Sequence, residues 1–419
     1  MTTTRGQRPI AMVVHSYYEE DPRVRREAEA VVASGRPVDV FALRNPGDPA
    51  TGVLDGVRIH RLDVQRHQGA GIGRYLLEYA EFFLRSMFAL ARAHRRRRYA
   101  LVQVHSIPDA LVFATLPLRM AGVPVILDLH EAMPEFFRMR FPAASRPVVQ
   151  AALVAQERAA IAFSSAAITV NDALGDRLTG MGVPSDKVTI VLNSPRLARF
   201  DAGAHPVRPF MVDGVLRLVY AGALSTVYEI DVALDAVARI VAARPDLPVS
   251  LELYGRDFAE VPLHEQAAAL GITDLVSFHG RVPIEDVPGK LAAADIGLAP
   301  TRRTEFTDFS LSTKIFEYAA MGKPVVASRL PMVEAMFPPG TVATYTAGDA
   351  GELAAAILRL VDDAEDRANH VAATGTIVRE IAWERESIRY LDLVERLARD
   401  GISSPTARDP GPPADTEAP

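Results

Sequence analysis

The segment FSLSTKIFEYAAMGKPVVASRL, residues 309–330, has the pattern of a helix start followed by a tight turn and a short strand. The hydroxyl residues Ser310 and Ser312 precede Lys314, and Glu317 lies one helical turn farther on. A helix N-terminus has unpaired N–H groups and a partial positive charge that suit a phosphate, and a carboxylate one turn on suits a vicinal diol such as a ribose. A nucleotide diphosphate would use all of these groups. Taken alone, however, the segment is explained more simply as a capped helix with an exposed Lys–Glu pair.

Strand-like and helical patterns alternate on both sides of this segment. The first pair is the strand IAMVVHS (10–16) and the helix DPRVRREAEAVVASG (21–35). The predicted N-cap of that helix is Asp21, its first helical residue is Pro22 and its C-cap is Gly35. Similar pairs recur along the chain, and this alternation predicts an α/β fold with parallel sheets covered by helices on both faces.

One segment interrupts the alternation. Residues 194–215 are rich in proline and glycine and lack a hydrophobic period, which predicts an interdomain linker. The chain should therefore form two doubly wound α/β domains, at residues 8–200 and 214–382, with a final helix at 383–400. We expect the tail at 401–419 to be disordered. Ligands bind such sheets outside the carboxyl ends of the strands, which here would face one cleft between the domains.

Composition narrows the classes of function. The 419 residues carry a net charge of −6, which gives no general attraction for nucleic acid. The chain has no cysteine, which excludes disulfides, thiolate metal sites and cysteine nucleophiles and fits a reducing compartment. We expect no signal peptide, because no long apolar stretch follows the first charges. We also expect no membrane span, because no uncharged apolar run reaches about 18 residues.

The surrounding motifs give the opening segment a more specific meaning. The stretch SLSTKIFEYAAMGKPVVAS (310–328) closely resembles the donor-site segment of family-4 glycosyltransferases, which are retaining enzymes of the GT-B fold. The resemblance covers nearly the whole chain, with its motifs in family order and at family spacing. Its other parts are SYYEEDPRVRREAEAVVASG (16–35), ILDLHEAMPEFF (126–137), VYAGAL (219–224) and FHGRVP (278–283).

The resemblance implies both a fold and a reaction. The fold would be GT-B, with two Rossmann-like domains facing a cleft and the helix at 383–400 crossing back to pack on the first domain. The first domain (8–200) would bind the acceptor, and the second (214–382) would bind the nucleotide sugar. The reaction would move a sugar from a nucleotide diphosphate sugar to the acceptor and keep the anomeric configuration.

Family positions assign donor-binding roles in the second domain. Glu317 matches the second glutamate of the family's E-x7-E motif and would hold the donor ribose. The first glutamate would fall at Phe309, so Asp308, one residue earlier, would face the hydroxyls of the donor sugar instead. The remaining predicted donor contacts are the backbone of Ser310, Leu311 and Ser312, the Lys314 ammonium and the Val282 backbone.

The phosphate clamp of the family is altered in this chain. Where the family often has arginine and lysine in a G-R-L-x-x-x-K-G pattern, this chain has Ala223 and Tyr228. Because both cations are missing from the sequence, other positive side chains must compensate, or the site binds weakly. The candidates for this role are Lys314, Arg281 and either Arg302 or Arg303.

The first domain supplies candidates on the acceptor side. His130 ends the strand VPVILDLH, where the family has a functional histidine near the donor sugar, and we favour that role over an ordinary surface histidine. Glu131 is a candidate acceptor contact. Asp109 is explained equally well as an acceptor contact and as a helix N-cap. Arg23 is either a contact for an anionic acceptor or donor phosphate, or part of a solvated helix face.

The apolar stretch EFFLRSMFALA (81–91) and the basic run HRRRR (94–98) fall on one predicted helix. A core-facing stripe with a solvated cationic end explains them best, because cations are favourable at a helix C-terminus. A peripheral contact with an anionic membrane surface is the alternative. It stays open because several family members use lipid-linked acceptors.

The sequence thus favours a bacterial glycosyltransferase of the hexosyl type, in the cytoplasm or at the inner face of the membrane. We expect no metal and no cofactor besides the donor substrate, since the chain lacks the D-x-D triplet that holds a divalent ion in the other main glycosyltransferase fold. The partners would be a nucleotide-sugar donor and a saccharide, lipid or small-molecule acceptor, without nucleic acid. A nucleotide-sugar epimerase and a non-catalytic nucleotide-sugar-binding subunit are the alternatives. The base, the sugar, the acceptor and the oligomeric state stay open.

Overall fold

The structure of the chain is a computed structural model that describes residues 7–66, 71–201, 203–255 and 260–400. The tail for which we predicted disorder, 401–419, lies outside the described residues. Among the described helices, none combines the length and the apolar character that crossing a membrane requires.

In the described part of the chain, the first sheet has eight strands. Its strands are β1 Ile10–Val13, β2 Val38–Leu43, β3 Thr51–Leu54, β4 Val57–Leu62, β5 Leu101–His105, β6 Val125–Leu129, β7 Ala166–Thr169 and β8 Val188–Ile190. Their order is β3-β4-β2-β1-β5-β6-β7-β8, and all neighbours are parallel except the β3–β4 hairpin at one edge. The strand order reverses at β1, so a ligand crevice is expected beside the carboxyl ends of β1 and β5.

The helices associated with this sheet cover its two faces. They are α1 Pro22–Ala33, α2 Ile72–Arg97, α3 Leu116–Met120, α4 Met133–Arg140, α5 Pro147–Phe163 and α6 Asp172–Gly180. Helix α1 begins as predicted, because the Asp21 side chain accepts hydrogen bonds from two N–H groups of the first turn and Pro22 is the first helical residue. The helix ends at Ala33 and its C-cap is Ser34, so the predicted C-cap at Gly35 was one residue too late. Gly35 follows with a φ of 93°, a left-handed conformation that glycine adopts readily.

The second sheet is parallel throughout its described strands. Its strands are β9 Leu216–Ala221, β10 Val249–Tyr254, β11 Val276–Gly280, β12 Ile296–Ala299, β13 Val325–Ser328 and β14 Ala343–Tyr345, in the order β11-β10-β9-β12-β13-β14. The helices that follow β9 are α7 Ile230–Ala243, α8 Glu260–Ala269, α9 Val287–Ala292, α10 Thr313–Ala320, α11 Pro331–Met336, α12 Ala350–Asp362, α13 Ala364–Glu380 and α14 Trp383–Asp400. The two sheets with their helices form two Rossmann-like units, as the sequence predicted.

The last helix, α14, returns to the first sheet. Its apolar residues Tyr390, Leu393 and Val394 are buried in the same cluster as side chains of β1 and α1. Arg36, just after α1, donates two hydrogen bonds of 2.8 Å to the Glu395 carboxylate. This packing confirms that the final helix crosses back onto the first domain, and it covers one face of the sheet that would otherwise be open to water.

Tyr390 also carries a buried polar contact. Its hydroxyl donates a 2.7 Å hydrogen bond to the side-chain oxygen of Gln103 in β5, and both side chains are buried. We expect Tyr390→Phe to lower the free energy of unfolding by about 1–3 kcal/mol, because the Gln103 oxygen is left buried without this donor. Urea unfolding of the two proteins measures the difference, and equal midpoints would show that the contact adds no stability.

Candidate active site

A cavity of about 1300 Å³ lies between the two domains. Its first-domain wall comes from residues that follow the carboxyl ends of β1, β6, β7 and β8, and its second-domain wall from residues that follow β9 to β13 and from the start of α10. Ten of the twelve predicted site residues line it. They are Arg23, His130, Glu131, Arg281, Val282, Ser310, Leu311, Ser312, Lys314 and Glu317.

The N-terminus of α10 opens onto this cavity. Ser312 is the N-cap residue, but its side chain does not cap the helix. Its hydroxyl oxygen is buried and has no hydrogen-bond partner among the described residues. The first N–H groups of a helix also lack partners within the helix. This end of α10 therefore offers a hydroxyl and several backbone donors to an anion in the cavity.

Lys314 is held beside this helix start by aromatic rings. Its ammonium nitrogen lies 4.0 Å from the ring centroid of Tyr228 and 5.1 Å from that of Tyr220. The lysine stem runs past Gly222, where a Cβ atom would lie 2.3 Å from the Lys314 Cε. Tyr228, one of the residues that stand where the family often has a cation, therefore positions the lysine by a cation–π contact.

Glu317 lies in the cavity wall one turn after the helix start. Burial raises the pKa of its carboxyl group to about 7, although the charges of Lys314, Arg199 and Arg26 act in the opposite direction. Two hydroxyl groups of a diol donate best to an ionised carboxylate. Glu317 is therefore best suited to such a ligand above pH 7.

This raised pKa predicts a pH-dependent effect of Glu317→Gln on stability. The folded-state pKa of about 7 exceeds the ordinary value of 4.5, so the wild-type protein loses stability as pH rises from 4.5 to 7 and stays destabilised above it. The glutamine variant should escape this loss and be more stable than the wild type by up to about 3 kcal/mol at pH 8, with little difference near pH 4.5. Urea unfolding at both pH values measures it. Glu380→Gln, at an exposed site on α13, is the control, and a stability difference that does not change with pH would contradict the prediction.

The arginines expected to replace the missing clamp are engaged elsewhere. Arg302 forms hydrogen bonds of 3.1 and 3.0 Å with the Asp231 carboxylate. Arg303 lies 3.2 Å from Asp308, and neither arginine lines the cavity. Arg281 does line it, but this guanidinium is paired with Glu20 of the first domain at 2.6 Å. The expectation for Arg302 and Arg303 was therefore wrong, because carboxylates close to them in the fold already neutralise their charge.

Arg199 is a cation that sequence reasoning missed. It lines the cavity, and its charge acts to lower the pKa of Glu317. Within the described residues its side chain has no hydrogen bond or ion pair, while the nearby Arg196 is paired with Glu29. Burial lowers the pKa of Arg199, as do the charges of Arg25 and Arg196. An unneutralised arginine of this kind would gain from an anion in the cavity.

His130 belongs to a buried polar network behind the first-domain wall. Its Nε2 atom lies 3.3 Å from His105 Nδ1 and 3.5 Å from Asp128 Oδ2, and the two imidazole rings are stacked. Gln103 joins Asp128 to Glu27 through hydrogen bonds of 3.0 and 2.6 Å. Burial lowers the pKa of His130 to about 3, against the opposing charge of Asp128. The ring is therefore neutral at physiological pH and is better suited to accept or donate a hydrogen bond than to release a proton.

The same network contains atoms that could bind a metal ion. One ligand atom from each of His105, Asp128 and His130 lies within 4.8 Å of the others, and all three side chains are buried. Imidazole and carboxylate ligands of this kind suit zinc. Any test of metal dependence must therefore consider this cluster as well as the donor side of the cavity.

Two predicted site residues do not line the cavity. Asp308 faces Arg303, although its neighbours Thr307 and Phe309 contribute to the wall. Asp109 is fully buried and makes no capping hydrogen bond, so the N-cap alternative is wrong. Burial and the neighbouring charge of Glu157 raise the pKa of Asp109 to about 8, which leaves it neutral at pH 7.

Ion pairs and a hydrogen bond join the two domains across the cleft. Arg25 lies 2.9 Å from Glu285, in addition to the Arg281–Glu20 pair. Asn171 donates a 2.8 Å hydrogen bond to the backbone oxygen of Phe309, next to the start of α10. The domains therefore meet along the edge of the cavity and bring the α10 terminus to the same space as the first-domain residues.

Comparison with known proteins identifies the family. Residues 21–194 match the model of a glycosyl transferase 4-like domain, and residues 216–363 match that of glycosyl transferases group 1. A D-inositol 3-phosphate glycosyltransferase of Stackebrandtia nassauensis is 25% identical, over 96% of each chain. A phosphatidyl-myo-inositol mannosyltransferase of Mycobacterium leprae is 32% identical, over 41% of this chain and 43% of its own.

Solved structures show the same fold. A sucrose-phosphate synthase from Thermosynechococcus elongatus superposes with a TM-score of 0.76 at 18% identity, over 94% of this chain and 100% of its own. Anabaena HepE in complex with UDP and glucose gives a TM-score of 0.69 at 16% identity, over 93% of this chain and 100% of its own. With the two family models, which together span both domains and the cavity between them, these matches show that the chain belongs to the family-4, or group 1, glycosyltransferases of the GT-B fold.

Proposed function

We propose that this glycosyltransferase moves a hexose from a nucleotide diphosphate sugar to a hydroxyl group of its acceptor and retains the anomeric configuration. The observation that carries the proposal is the convergence of anion-binding groups at one end of α10. Ser312 offers an unpaired buried hydroxyl, and Lys314 and Arg199 offer positive charge. Glu317 adds a diol acceptor one turn away.

The cavity suggests how the donor would lie. The diphosphate would contact the backbone of Ser310, Leu311 and Ser312, and the ribose hydroxyls would donate to Glu317. The base would meet the backbone at Val282, which lines the same wall. The sugar would then extend across the cleft towards His130 in the first domain.

The electrostatic task in this arrangement is to stabilise the leaving diphosphate. Donors that are fixed before the reaction stabilise developing charge without reorganisation, and closure of the cleft excludes water. We propose a front-face reaction in which an oxygen of the leaving phosphate takes the acceptor proton as the acceptor oxygen attacks the anomeric carbon. His130 would position the sugar, since its neutral ring accepts or donates a hydrogen bond.

The same charges support transfer without a metal ion. Lys314, Arg199 and the helix terminus would neutralise the diphosphate in place of a divalent metal ion. Activity would then persist in EDTA. A loss of activity that zinc restores would instead point to the His105–Asp128–His130 cluster.

On the acceptor side we propose a hydroxylated acceptor that carries an anionic group. Arg23 and Arg66 line the first-domain part of the cavity, next to Glu131. Relatives of the chain are named for inositol phosphate and phosphatidyl-inositol substrates, which combine hydroxyls with a phosphate. The reaction would take place in the cytoplasm or at the inner face of the membrane.

The test is a transfer assay with UDP-, GDP-, dTDP- and ADP-linked hexoses and phosphorylated polyols, with and without EDTA. Proton NMR of the first product reports the anomeric configuration. We expect turnover with one nucleotide, unaffected by EDTA, and a product with the configuration of the donor. An inverted product would overturn the proposed mechanism, and nucleotide binding without any turnover would favour a non-catalytic subunit.

A further inference from the structure

We infer that the chain docks on an anionic lipid bilayer through the outward face of α2. Helix α2 has 26 residues, which corresponds to a length of about 39 Å. One side of it is buried against the first sheet through Phe82, Ser86 and Leu90. A core-facing stripe therefore exists, as the sequence predicted, but it accounts for only part of the apolar residues of this helix.

Three large apolar side chains on another side of α2 point to solvent. Leu77 is 71% exposed, Leu84 50% and Phe88 68%. They are separated by seven and four residues, so they lie along one line on the helix surface. Helix α3 packs beside α2 and adds Leu116 and Met120, which are 47% and 80% exposed. Exposed apolar residues grouped in this way typically mark an interaction surface.

The charges around this line identify the partner. Arg92, Arg95 and Arg96 are all exposed at the C-terminal end of α2, and Arg95 continues the line seven residues after Phe88. In the described structure none of the three side chains forms an ion pair or a hydrogen bond with another group. The acidic residue on this face, Glu81, is already paired with Arg85 at 2.6 Å. A protein with a net charge of −6 thus presents one locally positive, apolar helix face.

This combination fits an anionic bilayer better than other partners. An interfacial helix inserts Leu and Phe side chains at the boundary of the head groups while its arginines contact anionic lipids. A nucleic acid would be bound by the arginines alone and would gain nothing from the exposed Leu84 and Phe88. We name the surface formed by Leu77, Leu84, Phe88, Arg92, Arg95 and Arg96 the docking face.

Docking would also place the cavity near the bilayer. At the N-terminal part of α2, Glu78 lies 3.2 Å from His15, and the Tyr79 ring packs edge-to-face against the same imidazole with 4.7 Å between the ring centroids. Tyr17 and Arg66, close to these residues in the chain, line the cavity. An acceptor carried by a lipid could therefore reach the first-domain side of the cleft. Only this access of a lipid-linked acceptor to the cleft depends on the proposed function, because binding to the bilayer requires no glycosyl transfer.

The experiment is sedimentation of the full chain with sucrose-loaded vesicles. One set contains phosphatidylcholine alone, and the other contains phosphatidylcholine with phosphatidylglycerol. We expect binding to the anionic vesicles at low salt and its loss at high salt. Because each arginine near an anionic surface contributes about a fivefold factor in partitioning, the triple variant Arg92→Ala, Arg95→Ala, Arg96→Ala should bind about a hundredfold more weakly.

Matched controls distinguish the effect of losing the docking face from the effect of changing the net charge of the protein. The triple variant Arg385→Ala, Arg396→Ala, Arg399→Ala removes the same charge from exposed positions on α14 and should bind like the wild type. Phe88→Glu should abolish binding, whereas Ile388→Glu, at a site on α14 that is 61% exposed, should not.

Three results would overturn the inference. One is the absence of wild-type binding to anionic vesicles, and another is equal weakening by both triple variants. The third is a concentration-dependent dimer that Phe88→Glu dissociates without any vesicle binding, which would assign the face to a second copy of the chain. Since the assay detects lipid and not product, its failure would leave the proposed transfer reaction unaffected.

Discussion

Replacing His130 by alanine should lower kcat by about two to three orders of magnitude while nucleotide affinity stays within about twofold. His130 is the buried end of the His105–Asp128 network and faces the cavity opposite the α10 terminus. It would contact the sugar where the reaction takes place and not the nucleotide. The variant should therefore lose an interaction with the transition state and retain the contacts that bind the donor.

Steady-state kinetics and calorimetry of nucleotide binding separate these two effects. The control is His370→Ala, which removes an equally buried histidine from α13, outside the cavity wall. The low pKa of His130 adds a second criterion, because a group that stays neutral contributes no inflection to the pH profile between 5 and 8. A loss of nucleotide affinity equal to the loss of kcat would mean that His130 supports the fold of the cleft and not the reaction.

Glu317→Gln should weaken binding of the nucleoside diphosphate by about a hundredfold at pH 8. The substitution keeps the shape of the side chain but replaces an ionised acceptor of two hydroxyl hydrogen bonds with a neutral amide. The effect should shrink below pH 7, where the wild-type carboxyl group also becomes protonated. Isothermal titration calorimetry at pH 8 and pH 6 measures both affinities.

Combined with the stability measurement, this prediction distinguishes a binding role from a structural one. The variant should be more stable than the wild type at pH 8 and yet bind more weakly, as expected for a residue whose burial is unfavourable in the absence of ligand. Glu380→Gln should change neither quantity. Unchanged affinity in Glu317→Gln would remove Glu317 from the donor site.

The fold was largely predictable because its signals are local. Short sequence patterns predict the N-cap of α1, the apolar strands and the start of α10, and the structure reproduces them. The sequence did not indicate the short elements β3, α4, α11 and β14. Their conformation depends on neighbouring elements more than on their own pattern. The sequence also did not separate α13 from α12, which ends just before Asp363, the single residue between the two helices.

The location of the candidate site was predictable, whereas the orientation of several side chains was not. Most of the predicted residues face one cavity because strand and helix ends converge there. Asp308 and Asp109 belong to 3-10 turns, in which a small rotation decides which neighbour faces the cleft. Arg199 lies in a segment without any periodic pattern, so only the structure shows that it reaches the cavity.

The altered phosphate clamp is another case in which the sequence did not predict a side-chain contact. The sequence shows that a tyrosine stands where the family often has a cation, and the loss of charge alone predicted weak binding. In the structure Tyr228 lies under the Lys314 ammonium at 4.0 Å, so the aromatic ring fixes a different cation near the same helix terminus. The role of Tyr228 therefore becomes clear only from the structure, in which its ring contacts Lys314.

A nucleoside diphosphate should bind at the α10 terminus without a metal ion. Thermal unfolding in EDTA with UDP, GDP, dTDP and ADP tests it most directly, because a ligand at about 100 times its Kd stabilises the folded state by about 2.7 kcal/mol. We predict one clear stabilising nucleotide, with the shift lost in Glu317→Gln and in Lys314→Ala. No shift with any nucleotide, or a shift that both variants retain, would contradict this account of the site.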